Sequence, residues 1–198
     1  MGLKLMLSGV RCAFIVLGNP EEFKAGDGRP RWSATALIPY GSVLVKSVET
    51  AMQEAAKAKW EKKWQAYYDA ILADPKASCW TDGKRKPDYD GFAGHWALSA
   101  HRQAKDGRPL VMDKDKSPIY KPTNEVYEGK GGVIYSGCRV HVQVEFWAQD
   151  NSNGKGIRAT LLGIQKFADG DAFGGGTAPQ ADDFGEITEG ADAEDLAG

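Results

Sequence analysis

Aromatic side chains lie beside basic ones in two parts of the sequence, an arrangement that can hold a single-stranded nucleic acid. Basic groups contact phosphates, and an aromatic face stacks on a base, which contributes roughly 1–3 kcal/mol per base. The candidate residues are Trp147, Arg139, His141, Lys84, Arg85, Lys86, Tyr89, Phe92 and Arg102. We predict that Trp147 stacks on a base, because it shares the polar face of an alternating strand with Arg139 and His141.

Each of these groups has a structural alternative. Trp147 could be an ordinary half-buried tryptophan, and Tyr89 and Phe92 could pack within their own loop. Trp32 and Trp96 are assigned to the core, because both fall on the apolar faces of alternating segments.

The sequence contains no recognisable motif for catalysis, a cofactor or a metal. There is no phosphate-binding Walker loop, no dinucleotide fingerprint and no Gly-x-Ser-x-Gly elbow. The histidines and cysteines lack the spacing of zinc ligands. We therefore expect no catalytic residue, no cofactor and no metal site. The enzymatic alternative is a DNA-processing nuclease that binds a divalent ion through paired loop acids, either Asp88 and Asp90 or Asp113 and Asp115.

Charge is divided unevenly along the chain. All 25 Lys and Arg lie at or before Lys166, whereas nine of the 27 Asp and Glu follow it. Residues 1–166 therefore carry a formal charge of +7, and residues 167–198 one of −9. The split favours a basic body that meets a polyanion and an acidic tail with a separate role. A basic enzyme with a solubilising tail is the alternative.

Hydrophobic alternation predicts the strands that position these residues. The predicted strands cover residues 3–17, 31–38, 95–102, 110–112, 138–147 and 157–167. The fourth is expected to be the return strand of a hairpin that turns at Asp106-Gly107. In the first strand, one predicted face consists of Val10, Cys12, Phe14 and Val16.

Between the second and third strands the spacing becomes helical. The helix is predicted to begin after the N-cap Ser42 and to end at Asp74-Pro75, with a break near residues 56–59. About five substantial strands, one long helix and extended loops predict a mainly β protein, an OB-fold-like five-stranded barrel.

Composition defines the class of protein and its domains. Hydrophobic residues make up 42% and charged residues 26%, as in soluble globular proteins. The longest apolar run, residues 13–17, is too short to span a bilayer, and residues 1–4 lack a signal-peptide pattern. Three widely separated cysteines fit a reducing compartment, each as a small core residue. We expect a cytoplasmic protein with one domain over residues 1–173 and a disordered acidic tail over residues 174–198, which is too polar to fold.

Several segments occur in an order that resembles a known family. They are Trp32-Ser-Ala-Thr-Ala-Leu-Ile-Pro39, the long helix, Gly94-His-Trp-Ala-Leu-Ser-Ala100, Pro109-Leu-Val-Met-Asp113, Pro118-Ile119, Tyr135-Ser-Gly-Cys138 and Asn153-Gly-Lys-Gly156, followed by an acidic end. The series extends from Leu3 to Gly176. It resembles the bacteriophage single-stranded DNA-binding proteins, formerly known only as a domain of unknown function, and among them those of enterobacterial phages.

The resemblance implies an OB-fold that coats single-stranded DNA during phage replication and recombination in the infected bacterial host. It also implies that the acidic tail recruits phage or host replication and recombination proteins, through a motif such as Asp182-Asp183-Phe184. We therefore expect sequence-tolerant binding of single-stranded DNA without catalysis and without a membrane, in a groove that could also promote strand annealing. The rivals are the nuclease and a structural protein of the virion.

Overall fold

A computed structural model describes residues 2–174 as seven strands, two α-helices and three short 3₁₀ turns. The strands are β1 (Leu3–Glu21), β2 (Arg31–Pro39), β3 (Trp80–Asp82), β4 (His95–Gln103), β5 (Leu110–Met112), β6 (Arg139–Asn151) and β7 (Gly154–Ala168). The helices are α1 (Val43–Trp60) and α2 (Trp64–Ala73), and the turns are Glu61–Lys63, Gly83–Arg85 and Ala104–Asp106. The predicted tail motif, Asp182-Asp183-Phe184, lies outside the described residues.

Five of the strands close into a barrel. Hydrogen-bonded neighbours follow the order β4-β2-β1-β6-β7, and each of these pairs is antiparallel. A parallel pairing of His101 with Thr160 then joins β4 to β7 and completes the ring. The ring confirms the predicted mainly β, OB-like barrel with five strands.

Two further strands flank the ring, and each corrects a prediction. β3 pairs with β4 in a stretch where the sequence indicated no regular structure. β5 pairs in parallel with β7, with Leu110 opposite Gly163, so it is not the return strand of a hairpin with β4. Just before β5, the Arg108 guanidinium donates to the carbonyl oxygens of Leu17 and Gly18, which joins this part of the chain to β1.

Every second side chain along the ring strands points inward, and these side chains fill the interior of the barrel. The inward side chains of β6 are all buried, as predicted, and they are Val140, Val142, Val144 and Phe146. Buried residues of α1, among them Val48 and Met52, belong to the same cluster. Burying an aliphatic side chain of this size contributes roughly 1.5–3 kcal/mol. The three cysteines are free and buried, which confirms their prediction as small core residues.

The helical segment is interrupted where Glu61 adopts a φ of +45°. Ser42 is the N-cap, as predicted, since its hydroxyl accepts from the backbone N–H of Leu44 at 3.2 Å. The break lies just beyond the predicted residues 56–59, and the indole N–H of Trp60 donates to the Asp150 carboxylate at 2.9 Å beside it. Among residues 2–174, no helix has the length and apolarity needed to cross a membrane.

A β-bulge in β1 places Phe14 on the surface. The β1–β2 register shifts between Ala13 and Val16, and Phe14 has a φ of +48°. Phe14 is 41% exposed, whereas its neighbour Ala13 is buried. The prediction that Phe14 shares the inner face with Val10 and Cys12 is therefore wrong. Two-residue periodicity does not anticipate the extra residue that a bulge inserts.

Candidate nucleic-acid interface

Outward side chains of the five ring strands form a continuous band around the barrel. Trp147 on β6 donates its indole N–H to Thr160 Oγ1 on β7 at 3.1 Å. Thr160 is paired with His101 on β4, which is paired with Ser33 on β2, and Ser33 faces β1 next to the bulge. We call this band the outer belt, and it consists of Trp147, Thr160, His101, Ser33 and Phe14. The outer belt crosses β2 and β4, the second and third barrel strands along the chain. In OB-folds the outer face of these two strands binds oligonucleotides.

One end of the outer belt is an aromatic cleft beside the bulge. The ring centroids of Phe14 and Tyr89 are 5.0 Å apart, with an edge-to-face angle of 79°. The Lys86 ammonium lies 4.4 Å from the centroid of the Phe14 ring. The cleft has a volume of about 280 Å³ and is lined by Ala13, Phe14, Asp88, Tyr89, Asp90, Phe92, Ser136, Phe173 and Gly174. The exposed Tyr89 ring and the ammonium group that lies over its neighbour Phe14 offer the two contacts that a base and its phosphate require.

The backbone at this cleft is held in an unfavourable conformation. A positive φ is unusual for a bulky residue such as Phe14, because its Cβ crowds the neighbouring carbonyl groups. Strain of this kind is concentrated at functional sites, where the surrounding structure maintains it. The bulge therefore keeps an aromatic ring exposed at a measurable conformational cost.

The chain that follows β7 crosses the barrel and lines the aromatic cleft. The Arg11 guanidinium lies 4.2 Å from the centroid of the Phe173 ring. The backbone N–H of Phe173 donates to the Ser136 carbonyl oxygen at 2.9 Å, and that of Gly174 donates to the Asp90 carboxylate at 2.9 Å. Gly174 is the last described residue. The acidic part of the sequence is therefore attached to the barrel at the cleft.

The centre of the outer belt is cationic. Burial lowers the pKa of His101 below its ordinary value, and the positive charges of Arg31 and Arg158 lower it further. Both guanidinium groups therefore lie near the imidazole, and that of Arg31 also forms an ion pair with Asp27 at 3.2 Å. Arg31 also stacks on Phe23, whose ring centroid is 4.9 Å away and which is 84% exposed in the loop between β1 and β2. Loops at this position flank the oligonucleotide in OB-folds.

The basic run Lys84-Arg85-Lys86 leads into the cleft from a capped turn. The Asp82 carboxylate accepts from the Tyr40 hydroxyl at 2.6 Å and from the Lys84 backbone N–H at 2.9 Å. The Tyr40 bond is the main reason that the pKa of Asp82 lies below its ordinary value, and the Lys84 bond adds to it. The turn is fixed by these bonds, while the three basic side chains are exposed.

The predicted residues on β6 lie far apart along the strand. Arg139 is the cross-strand neighbour of Arg11, which places it on the side of the aromatic cleft. Trp147 is eight residues further along, roughly 27 Å away at the rise of an antiparallel strand. Between them, His141 accepts from the backbone N–H of Gly9 at 3.1 Å and packs on Phe167.

Two of the predicted DNA contacts, Phe92 and Arg102, are engaged within the protein. Phe92 is 1% exposed in a small cluster with Leu37 and Ala97, so its prediction as a base-stacking residue is wrong. The loop packs this ring onto the outer face of the barrel, where it loses its contact with solvent. Arg102 is paired with the buried Trp32, and its guanidinium donates to the backbone carbonyl oxygens of the turn that follows.

Sequence reasoning did not identify several residues of the candidate interface. They are Phe14, Phe23, Arg11, Arg31, His101 and Arg158. Phe23 had a usable signal, since it stands next to Lys24 in a segment rich in Gly and Pro. Phe14 had none, because its exposure depends on the bulge.

Three of the four loop acids of the nuclease alternative, Asp90, Asp113 and Asp115, are engaged in other contacts. Asp113 forms an ion pair with Lys130 at 2.5 Å, and this bond is the main cause that lowers the pKa of the Asp113 carboxyl. The Asp115 carboxylate accepts from the backbone N–H of Ser117 at 2.9 Å. Among the described residues, no group of three or more His, Cys, Asp or Glu is arranged to hold a metal ion.

Comparison with known proteins identifies relatives along almost the whole chain. The family model described as "Enterobacter phage Enc34, ssDNA-binding protein" matches residues 3–197. "Putative protein p50" of Acyrthosiphon pisum secondary endosymbiont phage 1 is 36% identical over 197 residues, which cover 98% of this chain and 100% of that protein.

Solved structures agree with the family match. The single-stranded DNA-binding protein from bacteriophage Enc34, solved in complex with ssDNA, has a TM-score of 0.69 at 27% identity and covers 86% of this chain and 89% of its own. The single-stranded DNA-binding protein gp2.5 of bacteriophage T7 has a TM-score of 0.54 at 15% identity, over 96% of this chain and 97% of its own, which indicates a shared fold alone.

Proposed function

This chain belongs to the family of the phage Enc34 ssDNA-binding protein, and on that premise we propose that it binds single-stranded DNA through the outer belt and the aromatic cleft. Binding tolerates any sequence, because phosphates are contacted by charge and bases by stacking. The protein protects and organises single strands during phage DNA replication and recombination. It acts in the cytoplasm of the infected bacterial host.

The outer belt is the observation that carries this proposal. It places Trp147 at one end and the Phe14–Tyr89 pair at the other, with Arg31 and Arg158 next to its centre. A flexible strand with unpaired bases can stack its bases on the aromatic faces and place its phosphates on the cations between them. A duplex cannot stack its bases on these rings, because its bases are already stacked and paired with each other.

The proposed activity involves no catalysis. The candidate acids Asp113 and Asp115 have partners of their own within the chain, and Asp90 accepts from Gly174. The same groove could also promote the annealing of complementary single strands. Incubation of labelled single strands with magnesium separates the alternatives, since a binding protein protects the strands and a nuclease shortens them.

A comparison of single-stranded with duplex DNA at two salt concentrations tests the proposal. We expect the protein to prefer single strands at both concentrations. If about five phosphates are neutralised, log K should fall with log salt at a slope near −3.5, about 0.7 for each phosphate. Equal or tighter binding of duplex DNA would contradict the proposal, and a virion structural protein should show no salt-dependent affinity at all.

His101 makes the affinity depend on pH. Its pKa is lowered in the free protein by burial and by two arginines, and bound phosphates would offset those positive charges. The pKa of His101 is then higher in the complex, so the complex takes up a proton and affinity rises as the pH falls from 7.5 to 5.5. His101→Gln should remove this part of the pH dependence. The idea fails if wild type and variant have the same pH profile in equilibrium titrations.

The acidic tail, residues 174–198, is proposed to recruit phage or host replication and recombination proteins, with Asp182-Asp183-Phe184 as the contact motif. Because Gly174 lies at the aromatic cleft, the anionic tail is tethered there at a high effective concentration. Truncation after Phe173 should therefore tighten the binding of single strands at low salt, with a smaller gain at moderate salt. Unchanged affinity at low salt would exclude competition, and partner recruitment would then rest on the family resemblance alone.

A further inference from the structure

We propose that the aromatic cleft is a subsite for one nucleobase and that the Asp88 carboxylate gives it a preference for bases that carry an amino group. The inference rests on the proposed function, since it concerns the ligand of the same surface. It adds a base preference at one position to binding that is otherwise sequence-tolerant.

The shape of the cleft fits a single flat ring. Phe14 and Tyr89 pack edge to face on each other in its lining, at an interplanar angle of 79°, and Phe173 completes the aromatic lining. Its volume of about 280 Å³ holds one base and part of its sugar. Tyr89 is 53% exposed, so its ring face is accessible to a base.

The polar groups of the cleft differ in what they can bind. The Lys86 ammonium lies over the Phe14 ring, where it can contact a phosphate. The Asp90 carboxylate already accepts from Gly174. Asp88 lines the cleft and is exposed, and no hydrogen bond to its carboxylate is formed within residues 2–174. Asp88 is therefore the carboxylate of the cleft that is available to a bound base.

A carboxylate distinguishes the pyrimidines by their polar edges. Cytosine presents the N4 amino group, a donor that a carboxylate accepts from, whereas thymine presents the O4 carbonyl at the same place. Two acceptors that face each other repel. Cytosine and thymine have similar stacking surfaces, so a difference between them reports on the hydrogen bond.

The test measures the affinities of oligo(dC) and oligo(dT) of equal length for the full-length protein. We expect the wild type to favour oligo(dC) by roughly fivefold, the effect of one net hydrogen bond. Asp88→Asn should reduce this ratio to near one, because an amide can also donate to the thymine carbonyl. The ratio of affinities is the readout, since loss of a negative charge raises both affinities together.

Glu128→Gln is the matched control, an exposed carboxylate in the loop between β5 and β6 that is also made neutral. It should leave the ratio at the wild-type value. A wild-type protein that binds both oligonucleotides equally, or an Asp88→Asn protein with an unchanged ratio, overturns the base preference and leaves the proposed function standing. A wild-type protein that binds neither oligonucleotide overturns both.

Discussion

Tyr89→Ala should weaken the binding of single-stranded DNA by about 5- to 150-fold, the loss of one base stack. Tyr89 forms one wall of the aromatic cleft and is 53% exposed, so its ring contributes little to the core. Its removal should therefore leave the free energy of unfolding within about 0.5 kcal/mol of the wild type. Fluorescence titration with oligonucleotides, together with urea unfolding, measures both quantities.

Tyr89→Phe is the control, because it keeps the aromatic face and removes only the hydroxyl; it should bind as the wild type does. Trp147→Ala tests the far end of the outer belt and should also cost roughly 1–3 kcal/mol of binding. If Trp147→Ala has this effect and Tyr89→Ala has none, DNA lies over β6 and β7 and does not reach the cleft.

Phe92→Ala should lower the free energy of unfolding by roughly 3–5 kcal/mol. The ring is 1% exposed and packs with Ala13, Leu37 and Ala97 against the outer face of the sheet. Its truncation leaves a cavity beneath the loop that carries Lys86 and Tyr89. Because a domain of this size has only about 5–15 kcal/mol of stability, the variant should unfold at much lower urea concentration.

Phe92→Leu separates the packing role from a stacking role. It retains most of the apolar volume and no aromatic face, so stability should largely return if Phe92 is core. A Phe92→Ala protein as stable as the wild type, with weaker DNA binding, would restore Phe92 as a surface residue that stacks on a base.

Local sequence patterns were sufficient to predict most strands and the helical segment of this fold. The alternation of Val140, Val142, Val144 and Phe146 predicted the buried face of β6, and Ser42 predicted the start of α1. These predictions hold because side-chain direction in a strand and capping in a helix depend on residues only a few positions apart. The family resemblance predicted more than local structure, since the ordered series of segments was enough to predict the class of protein.

The position of the charges was also available from the sequence, but their arrangement in space was not. Lys84, Arg85 and Lys86 stand together in the chain, so their exposure near Tyr89 could be predicted. The grouping of Arg31 with Arg158 around His101 could not, because these residues meet only through the pairing of β4 with β2 and β7.

The sequence by itself determined the β-rich class, the helix limits, the uneven charge and the family. Only the tertiary structure decided which aromatic rings are free to meet a base. Phe14 is exposed because a bulge reverses the alternation of β1, and Phe92 is buried because its loop folds back onto the sheet. Phe173 comes to the same place because the chain returns across the barrel after β7. Each of these outcomes depends on contacts between residues far apart in the sequence, whereas periodicity reports only on near neighbours.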